Sequence, residues 1–382
     1  MAPAGLTRLA LVAQLLAALA THAAPLRSPS PCATPADCSY NGVCGAAGAC
    51  ACTAPWTGAG CDVLALAPLD NATAQLGYQG RDAGGRISSW GGSVVQGDNG
   101  EWHMFAAEME AHCGINTWLS NSAVVHATSP DPLRVPFTRA SVVQADFAHE
   151  PIAVRAPSGE FVVYFTAVLP PGTLPVKGGQ PCGGCADGVS AASCGTDANR
   201  NSSVNLPTYM VFSTDADGPW STPQMVPGTN VYADTNFAPW INADGSLVAL
   251  TRGQVWAAAD WRNVSSYRVV GKWGDKGEDP FVWRNADGVY HGIIHVGRPN
   301  TYGLHLFSVD GVSWTASAGH AYSSVLTFAN GTTLNLACRE RPHVVHANGQ
   351  LIALTNGAAV HSCHEAGADD HSISFLQATV LS

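Results

Sequence analysis

Residues 278–295 read EDPFVWRNADGVYHGIIH, and the pattern of this stretch occurs five times along the chain. Each copy has a short extended segment, then a turn centred on glycine, then an apolar strand. Turn pairs such as Asp287-Gly288 tolerate positive φ and reverse the chain within a hairpin. The other copies are SWGGSVVQGDNGEWHMFAA (89–107), HEPIAVRAPSGEFVVYFT (149–166), FAPWINADGSLVALTR (237–252) and ERPHVVHANGQLIALT (340–355).

A second, shorter pattern alternates with the first. It consists of a strand, an Asp-Gly turn and an aromatic residue at 209–220 and 304–314, and it is looser at 124–137 and 254–261. Two hairpins per repeat make a four-stranded sheet, so the sequence predicts an all-β fold, a five-bladed β-propeller over residues 75–382. A β-sandwich is the alternative architecture. The fivefold repeat favours the propeller.

The composition agrees with many short strands and tight turns. Of 382 residues, 46% are apolar and 12% charged, with 40 Gly and 24 Pro. The apolar fraction suffices for a sizeable core. A formal net charge of −10 argues against binding a phosphate backbone, which requires clustered Lys and Arg. Nucleic acid is therefore not an expected partner.

The first 23 residues have the features of a secretory signal peptide. Arg8 is followed by an apolar run, and the segment ends on the small residue Ala23. An uncleaved anchor is the alternative, but the run is about half the length of a membrane span. No later stretch predicts membrane insertion, so we expect a secreted, extracellular protein. Glycosylation sequons are predicted at Asn71, Asn201, Asn263 and Asn330.

Six cysteines between residues 32 and 62 have the spacing C-x5-C-x5-C-x5-C-x-C-x8-C. This spacing resembles an EGF-like module, which implies the pairs Cys32–Cys44, Cys38–Cys50 and Cys52–Cys61. Crosslinks are needed because so short a segment cannot bury enough surface to fold unaided. A metal site is the alternative, and the lack of acidic residues before the first cysteine predicts no calcium in the module. Its expected role is a spacer or an adhesion element.

The remaining cysteines predict further disulfides in an exported chain. Cys338 and Cys363 are expected to pair and to clamp the last blade. The partners of Cys113, Cys182, Cys185 and Cys194 are left open, and the last three lie in a Gly-rich insertion over about residues 168–206. We expect this insertion to form a loop at the rim of the site.

The residues just before the repeated proline are the best placed to contact a ligand, because the innermost strands of a propeller line a central funnel. Polar and charged side chains concentrate there in four of the five copies, and a buried charge is costly unless it is paired or functional. These positions are Trp90-Gly91, His149-Glu150, Asn236-Phe237-Ala238, Glu278-Asp279 and Arg339-Glu340-Arg341, with Pro239 taken as the proline of the third copy.

Two of these segments resemble the inner strands of five-bladed glycosidases of glycoside hydrolase family 43 and its relatives. In that group Asp-Pro or Glu-Pro is followed by four or five residues, a glycine and an aromatic strand. Residues 278–290 are similar to this motif, and His149-Glu150-Pro151 is similar to a second copy. The resemblance implies an enzyme that acts on carbohydrate with three inner carboxylates, namely a base, an acid and one that tunes the acid.

The sequence departs from the family pattern in two copies: the first has Trp90-Gly91-Gly92 where the base of the family would stand, and the third has Asn236 and Ala238. Glycoside hydrolysis needs two carboxylates on opposite sides of one bond, and neighbours along one strand point in opposite directions. We therefore predict Glu150 and Asp279 as the catalytic pair. Glu150 is expected to be the general acid, in an apolar setting that favours its protonated form, and Asp279 the base or charge stabiliser.

Other inner residues are predicted to bind substrate. An aromatic ring beside two glycines is suited to stacking on a sugar, and one of the two arginines that flank Glu340 should face the funnel and bind a hydroxyl, a uronate or a sulfate. For each acid the alternative is an ion pair that locks the blades together. The predicted substrate-binding residues are Trp90, His149, Asp234, Asn236, Glu278, Arg339 and Arg341.

Three functions are compatible with this pattern. The first is a secreted glycoside hydrolase acting on a polysaccharide or glycan, and the second is a non-catalytic carbohydrate-binding or adhesion propeller. The third, a phosphorylase or lyase, would need a cationic pocket, for which only Arg339 and Arg341 are candidates. No catalytic metal is expected, and the only cofactor considered is a structural calcium ion, which related propellers can hold on the axis.

Overall fold

The computed structural model describes residues 31–82, 85–115, 118, 122–145, 147–169, 205–229, 236–274, 277–296, 302–360 and 372–381. Five four-stranded antiparallel sheets make up the body of the chain, and the innermost strand of each contacts the innermost strands of its two neighbours, so that the five close into a ring. The predicted five-bladed β-propeller is confirmed. The predicted signal peptide, the sequon at Asn201 and most of the insertion lie outside the described residues. Within the described residues, no helix has the length and apolar character needed to span a bilayer.

Each blade runs from an inner strand to an outer strand in chain order, except in the last. The first blade consists of Ser89–Gln96, Trp102–Met109, Ser122–Ser129 and Thr138–Gln144. The second consists of Ala148–Arg155, Phe161–Ala167, Thr208–Ser213 and Gln224–Met225, and the third of Ala238–Ile241, Leu247–Leu250, Gln254–Ala258 and Arg268–Lys272. The fourth consists of Glu278–Arg284, Tyr290–Val296, Tyr302–Ser308 and Thr315–Ser323, and the fifth of Cys338–Ala347, Gln350–Ala359, Ile373–Ala378 and Gly77–Tyr78.

Smaller elements surround the blades. Two further hairpins are formed by Arg81–Asp82 with Gly85–Arg86 and by Val325–Thr327 with Thr333–Asn335. The small N-terminal module has the hairpins Gly42–Cys44 with Cys50–Cys52 and Trp56–Thr57 with Val63–Leu64. Single 3₁₀ turns occupy Pro35–Cys38, Thr73–Gln75, Glu110–His112 and Val264–Ser266.

The fifth blade joins the two ends of the propeller. Its outer strand, Gly77–Tyr78, comes from before the first blade and pairs with Ser374 and Phe375 of the third strand. Gly77 has φ of +102°, and a Cβ there would lie 2.0 Å from the carbonyl oxygen of Ser374. Only glycine therefore allows the N-terminal strand to approach closely enough to complete this blade.

The core lies between the blades, where the apolar residues of facing sheets interdigitate. Phe105 of the first blade packs in one cluster with Phe161 and Phe165 of the second. Tyr164 of the second blade packs with Trp256 and Trp261 of the third. This alternation of buried faces explains why the copies of the repeat are apolar on both sides of each strand.

The N-terminal module is disulfide-bonded as the EGF-like resemblance implies. The three bonds are Cys32–Cys44, Cys38–Cys50 and Cys52–Cys61. Cys113 and Cys338 are also disulfide-bonded. Cys182, Cys185 and Cys194, together with Cys363, the predicted partner of Cys338, lie outside the described residues.

This module is packed against the fourth blade instead of standing apart as a spacer. The ring of Trp56 lies 4.8 Å from that of His305, and Tyr40 makes an edge contact with Phe307. Asp62 Oδ2 accepts a hydrogen bond from the backbone N–H of Gly319 at 2.5 Å. Apolar burial together with polar contacts fixes the module to the propeller.

A buried histidine pair lies under this junction. His291 Nδ1 is 2.9 Å from His305 Nε2, and His305 Nδ1 is 3.0 Å from Ser317 Oγ, which donates to Ser39 Oγ of the module at 3.0 Å. Burial lowers the pKa of His291 to about 3 and holds the pKa of His305 well below its usual value. Both rings are therefore neutral in the folded protein.

We expect Gly77→Ala to destabilise the propeller much more than Gly349→Ala. Both glycines have positive φ, but a Cβ at Gly349 would meet nothing within 4 Å, so that variant measures the backbone strain alone, about 1–2 kcal/mol. The clash with Ser374 should raise the total for Gly77→Ala to about 2–5 kcal/mol. Chemical denaturation of both variants tests this, and equal losses of unfolding free energy would contradict the ring closure described above.

We expect acid to destabilise the protein through the buried pair. An unfolded histidine binds a proton below about pH 6.5, whereas His291 does so only near pH 3 when folded. Stability should thus fall as pH drops below 6.5, by about 1.4 kcal/mol per pH unit for each such histidine. Thermal unfolding between pH 7.5 and 4.5 should show a shallower dependence in His291→Gln/His305→Gln than in wild type, and an unchanged one in the exposed control His320→Gln. Equal slopes in all three proteins would refute this account.

Candidate functional site

A bulge in the inner strands aims one residue of each blade at the axis. In four blades the register with the second strand skips the residue pairs that begin at Gly91, Glu150, Asp279 and Arg341. All four of these residues have φ between +49° and +71°. A left-handed conformation is costly for residues other than glycine, and bulges re-aim side chains. The strain therefore recurs at one structural position around the ring.

The third blade follows the same rule with a different residue. Asn236 has φ of +47° two residues before the inner strand begins at Ala238, and Phe237 takes the place of the proline. Pro239, which the sequence pattern aligned with the other prolines, lies inside the strand and pairs with Ala249. The alignment of the third copy was thus wrong by two residues, because Pro239 occupies an ordinary strand position.

Arg341 joins the two acids predicted to be catalytic. Its Nη1 atom lies 2.7 Å from Glu150 Oε1 and 2.8 Å from Asp279 Oδ1. Glu150 Oε1 also accepts a hydrogen bond from Asn236 Nδ2 at 2.7 Å. The residues come from the fifth, second, fourth and third blades, so the central funnel does bring them together.

Two more residues close these contacts into a ring. Arg252 donates through Nε to Asn236 Oδ1 and through Nη2 to Glu278 Oε2 at 2.5 Å. His295 lies between two carboxylates, with Nε2 3.2 Å from Glu278 Oε1 and Nδ1 2.9 Å from Asp279 Oδ2. We call the closed circuit of seven residues the axial ring: Arg341, Glu150, Asn236, Arg252, Glu278, His295 and Asp279.

The axial ring balances its own charges. Burial of Asp279 alone would raise its pKa, but Arg341 and His295 outweigh that effect and hold its pKa well below the usual range. The close contact with His295 lowers the pKa of Glu278. Burial alone would lower the pKa of His295, but Asp279 and Glu278 raise it to about 10. Two guanidinium groups and His295 thus face the carboxyl groups of Glu150, Glu278 and Asp279, and Glu340 lies beside His295 and Asp279.

The first blade supplies space instead of a carboxylate. A Cβ at Gly91 would lie 3.3 Å from Arg341 Nε and 3.4 Å from Arg341 Cδ. The side chain of Arg341 therefore lies over the position at which the resemblance to family 43 would put the base. The glycine at position 91 therefore leaves room for the side chain of Arg341 from the fifth blade.

The setting of Glu150 differs from the expected one. An apolar environment was predicted for a general acid, but Glu150 accepts contacts from a guanidinium and an amide. Both contacts favour the ionised carboxylate. Since Glu150 Oε1 and Asp279 Oδ1 touch the same nitrogen, these two oxygens are at most about 5.5 Å apart, the sum of the two contacts.

The other predicted residues divide between the site and the core. His149 is buried, lies 2.6 Å from Ser122 Oγ and stacks on the half-buried ring of Trp118. Burial, followed by the charge of Arg341, holds the pKa of His149 well below its usual value. Asp234 lies outside the described residues.

Two predicted ligand contacts are corrected. Trp90 is buried against Gly357, where a Cβ would lie 2.4 Å from the Trp90 ring, so it has no open face for a sugar. Arg339 is buried and donates to Asn356, Gln377 and the Ser323 carbonyl, away from the axial ring. A phosphorylase or lyase was expected to need both arginines as a cationic pocket. Of these two, Arg339 does not face the site, and Arg341 is already paired with two acids.

Arg252 and His295 were not predicted as site residues. His295 is the register partner of Glu278, and Arg252 stands two residues after Leu250, the partner of Ala238, which places it opposite Asn236. Both residues lie at the end of the second strand of their blade, opposite the residues that face the axis, and this position is what would identify them in the sequence. Neither lies on an inner strand, which is where the sequence pattern directed attention.

Asp279, His295 and Glu340 offer ligand atoms within 4.8 Å of one another. His295 is protonated at neutral pH, and each Asp279 oxygen already contacts a cation. Calcium takes six to eight oxygen ligands. The described residues therefore do not fit the structural calcium ion that was considered for the axis.

Comparisons with known proteins agree with both parts of the fold. Residues 34–64 match the family model of the Teneurin-like EGF domain. No protein with a curated description matches the sequence. The structure is similar to that of an α-L-arabinofuranosidase from Podospora anserina solved with cellotriose, with a TM-score of 0.50 and 10% identity over 84% of this chain and 96% of that one.

Two further solved structures are similar to this chain at a lower TM-score. A family 117 glycoside hydrolase from Zobellia galactanivorans has a TM-score of 0.48 and 13% identity, over 83% of this chain and 90% of that one. A β-xylosidase/α-arabinofuranosidase from a compost microbial metagenome, solved with xylotriose, has a TM-score of 0.49 and 12% identity, over 76% and 91%. The five blades and the likeness to the arabinofuranosidase together show that the chain has the five-bladed propeller fold found in such glycosidases, preceded by an EGF-like module.

Proposed function

We propose that this protein is a secreted glycoside hydrolase that uses Glu150 and Asp279 in the centre of the propeller. One observation carries the proposal: two acids from different blades, 129 positions apart by their residue numbers, meet on one nitrogen of Arg341. Glycoside hydrolysis uses a pair of carboxyl groups that flank one glycosidic bond. The likeness in fold to glycosidases supports the same function without assigning residues.

The upper limit of about 5.5 Å between the two facing oxygens lies below the separation used by inverting enzymes, which favours a retaining reaction. Retaining enzymes hold their carboxyl groups about 5–5.5 Å apart and inverting enzymes about 6.5–9.5 Å. Asp279, which stays ionised, would attack the anomeric carbon as the glycosidic C–O bond breaks, and Glu150 would give its proton to the departing oxygen. Water, deprotonated by Glu150, would then release the sugar from Asp279.

The first step requires Glu150 to carry a proton. Its Oε1 atom accepts contacts from Arg341 and Asn236, so we place the proton on Oε2. Binding of a sugar that excludes water would favour this protonated state. Arg341 would stay on Asp279 and hold it in place for attack.

An extracellular location fits the described surface. The three disulfides of the EGF-like module are typical of an oxidising compartment. Asn71, Asn263 and Asn330, the sequon asparagines within the described residues, are exposed, as glycosylation requires. We therefore retain the signal peptide over residues 1–23 and glycosylation as part of the proposal.

A second candidate is a non-catalytic glycan-binding propeller. The observation that favours it is the closed axial ring, in which both acids are already paired and Gly91 replaces the carboxylate of the first blade. In this function the acids would hold the blades together, and a glycan would bind without being cut. The two candidates differ in turnover, not in the location of the ligand.

We expect Glu150→Gln and Asp279→Asn each to lower hydrolysis of a responsive aryl glycoside or plant or algal polysaccharide by about 10²–10⁴-fold, because each removes one acid–base or nucleophilic role. The control is Glu160→Gln, an acid that pairs with Arg262 away from the axis and should leave the rate unchanged. NMR of the first product should show retention of the anomeric configuration.

Turnover that survives in both variants would exclude Glu150 and Asp279 as the catalytic pair. Glycan binding without turnover in the wild type would exclude the hydrolase and favour the binding propeller. Inverted product would refute the retaining reaction but leave the pair in place. Circular dichroism of each variant controls for loss of the fold.

We expect alkaline pH to weaken the fold through His295. Its folded pKa of about 10 lies above the unfolded value, so its contribution is fully present below about pH 6.5 and is lost as pH rises through 10. Denaturation should show unfolding free energy falling between pH 7 and pH 10, by at most about 1.4 kcal/mol per pH unit. His295→Gln should be less stable at pH 7 and lack this slope; a wild type that is flat up to pH 10 would contradict the assigned charge state.

A further inference from the structure

The EGF-like module and the propeller are each closed by bonds of their own. Three disulfides lie within residues 32–61 of the module. The propeller closes with the strand Gly77–Tyr78, which follows the module in the chain, and no blade includes a described strand of the module. The junction between the module and the fourth blade can therefore open without breaking a blade or a disulfide.

His305 of the fourth blade lies at the centre of this junction. The ring of Trp56, from the module, packs on it with the ring centroids 4.8 Å apart. Its Nδ1 atom is 3.0 Å from Ser317 Oγ, which in turn donates to Ser39 Oγ of the module. Its Nε2 atom contacts His291 Nδ1 at 2.9 Å. His305 is 0% exposed, so the packed junction keeps it away from water.

The hydrogen bonds of the junction are satisfied when both histidines are neutral. Because the Ser317 hydroxyl donates to Ser39, His305 Nδ1 donates to Ser317. His305 Nε2 then accepts from the Nδ1–H group of His291. A proton added to His305 Nε2 would meet that N–H group, and protons on both rings would bring two cations into contact inside the protein.

The surroundings of the pair do not compensate a positive charge. Ser317 is uncharged, and the ring of Trp283, which stacks on His291, offsets the burial of a cation only in part. Burial, followed by the charge of His346, lowers the pKa of His291 to about 3, and burial with the charge of His291 keeps the pKa of His305 well below its usual value. The other titratable groups at the junction are His346 of the fifth blade, which packs on Trp283, and Asp62 and Tyr40 of the module, which bind Gly319 and Phe307.

The first blade contains a histidine pair at corresponding strand positions, with a different third partner. His103 Nδ1 lies 2.9 Å from His126 Nε2, and His126 Nδ1 lies 2.9 Å from Asp217 Oδ1. Asp217 is 63% exposed, and its charge partly offsets the lowering of the His126 pKa by burial. In the fourth blade a hydroxyl that is bonded to the module takes the place of this carboxylate. The fourth-blade pair is thus the one whose protonation is opposed by docking of the module.

We propose that acid releases the EGF-like module from the fourth blade, with His291 and His305 as the proton acceptors. Release admits water to the pair, which can then take up protons that the docked form excludes. Since a histidine in water binds a proton below about pH 6.5, docking should weaken by about tenfold per pH unit for each proton taken up. The ring of blades stays closed in this step, and the proposal is independent of any hydrolase activity.

Hydrogen–deuterium exchange of the full chain, read at single residues by mass spectrometry between pH 7.5 and 4.5, tests this. The amide of Gly319, which donates to Asp62, reports docking, and the amides of Phe161–Ala167 report the ring. After correction for intrinsic exchange, we expect protection at Gly319 to fall by about ten- to a hundredfold per pH unit below pH 6.5. Protection at Phe161–Ala167 should fall much less.

Two double variants separate the fourth-blade pair from histidines in general. In His291→Gln/His305→Gln the protection at Gly319 should lose this pH dependence, because glutamine keeps polar groups there but does not titrate. His103→Gln/His126→Gln, the matched control, should keep the wild-type dependence. His291→Gln alone should reduce it to about tenfold per pH unit, which keeps the test available if the double variant does not fold.

Asp62→Asn removes the other titratable group that bonds across the junction. It should lower protection at Gly319 at every pH but keep the slope. A slope that is lost in Asp62→Asn and kept in folded His291→Gln/His305→Gln overturns the proposal, since the carboxyl group would then be the sensor. Protection at Gly319 that is constant down to pH 4.5, or that falls together with that of Phe161–Ala167, overturns it as well.

Discussion

The contact of one guanidinium nitrogen with two carboxylates is the constraint around which the centre of this propeller is built. Two acids whose oxygens lie within about 5.5 Å of one another would repel strongly away from water. Arg341 removes that penalty, and it has room to do so because Gly91 brings no side chain to the axis. In the sequence, the first blade lacks an acid at this position. In the structure, the absence of a side chain there leaves the space that Arg341 of the fifth blade occupies.

Backbone strain accompanies this arrangement. Glu150, Asn236, Asp279 and Arg341 all adopt positive φ, a conformation that costs roughly 1–2 kcal/mol for each residue. In the second, fourth and fifth blades the strained residue lies at the bulge of the inner strand, and in the third blade it lies just before the inner strand. A core that only had to hold five sheets together could be built with glycine there, as the first blade is. The non-glycine residues at this position therefore point to a role for their side chains, and strain of this kind concentrates at functional sites.

The sequence was sufficient for the blades but not for all of the site. The Gly-centred turns and apolar strands recur with a regular spacing, which is why the number of blades and the axial placement of Glu150 and Asp279 could be predicted. Pro239 misled the alignment of the third blade because a proline is also tolerated at an ordinary position of its strand. Trp90 was misjudged because the room for its ring comes from Gly357, which is 267 positions later in the chain. The roles of Arg252 and His295 could not be predicted because they depend on contacts between strands and blades, which no local pattern records.

The contacts of Glu150 in the axial ring also determine whether the protein can act as a hydrolase or only bind a glycan. For Glu150 to protonate a leaving group it must hold a proton, and the contact with Arg341 opposes this as long as the ring is intact. A glycan bound in the funnel would exclude water from the ring, and the loss of hydration favours the uncharged, protonated form of Glu150. In a hydrolase that change shifts the proton onto Glu150 while Arg341 remains on Asp279. In a binding propeller all seven contacts persist with the ligand in place, so the protonation state of Glu150 with glycan bound is the property in which the two functions differ physically.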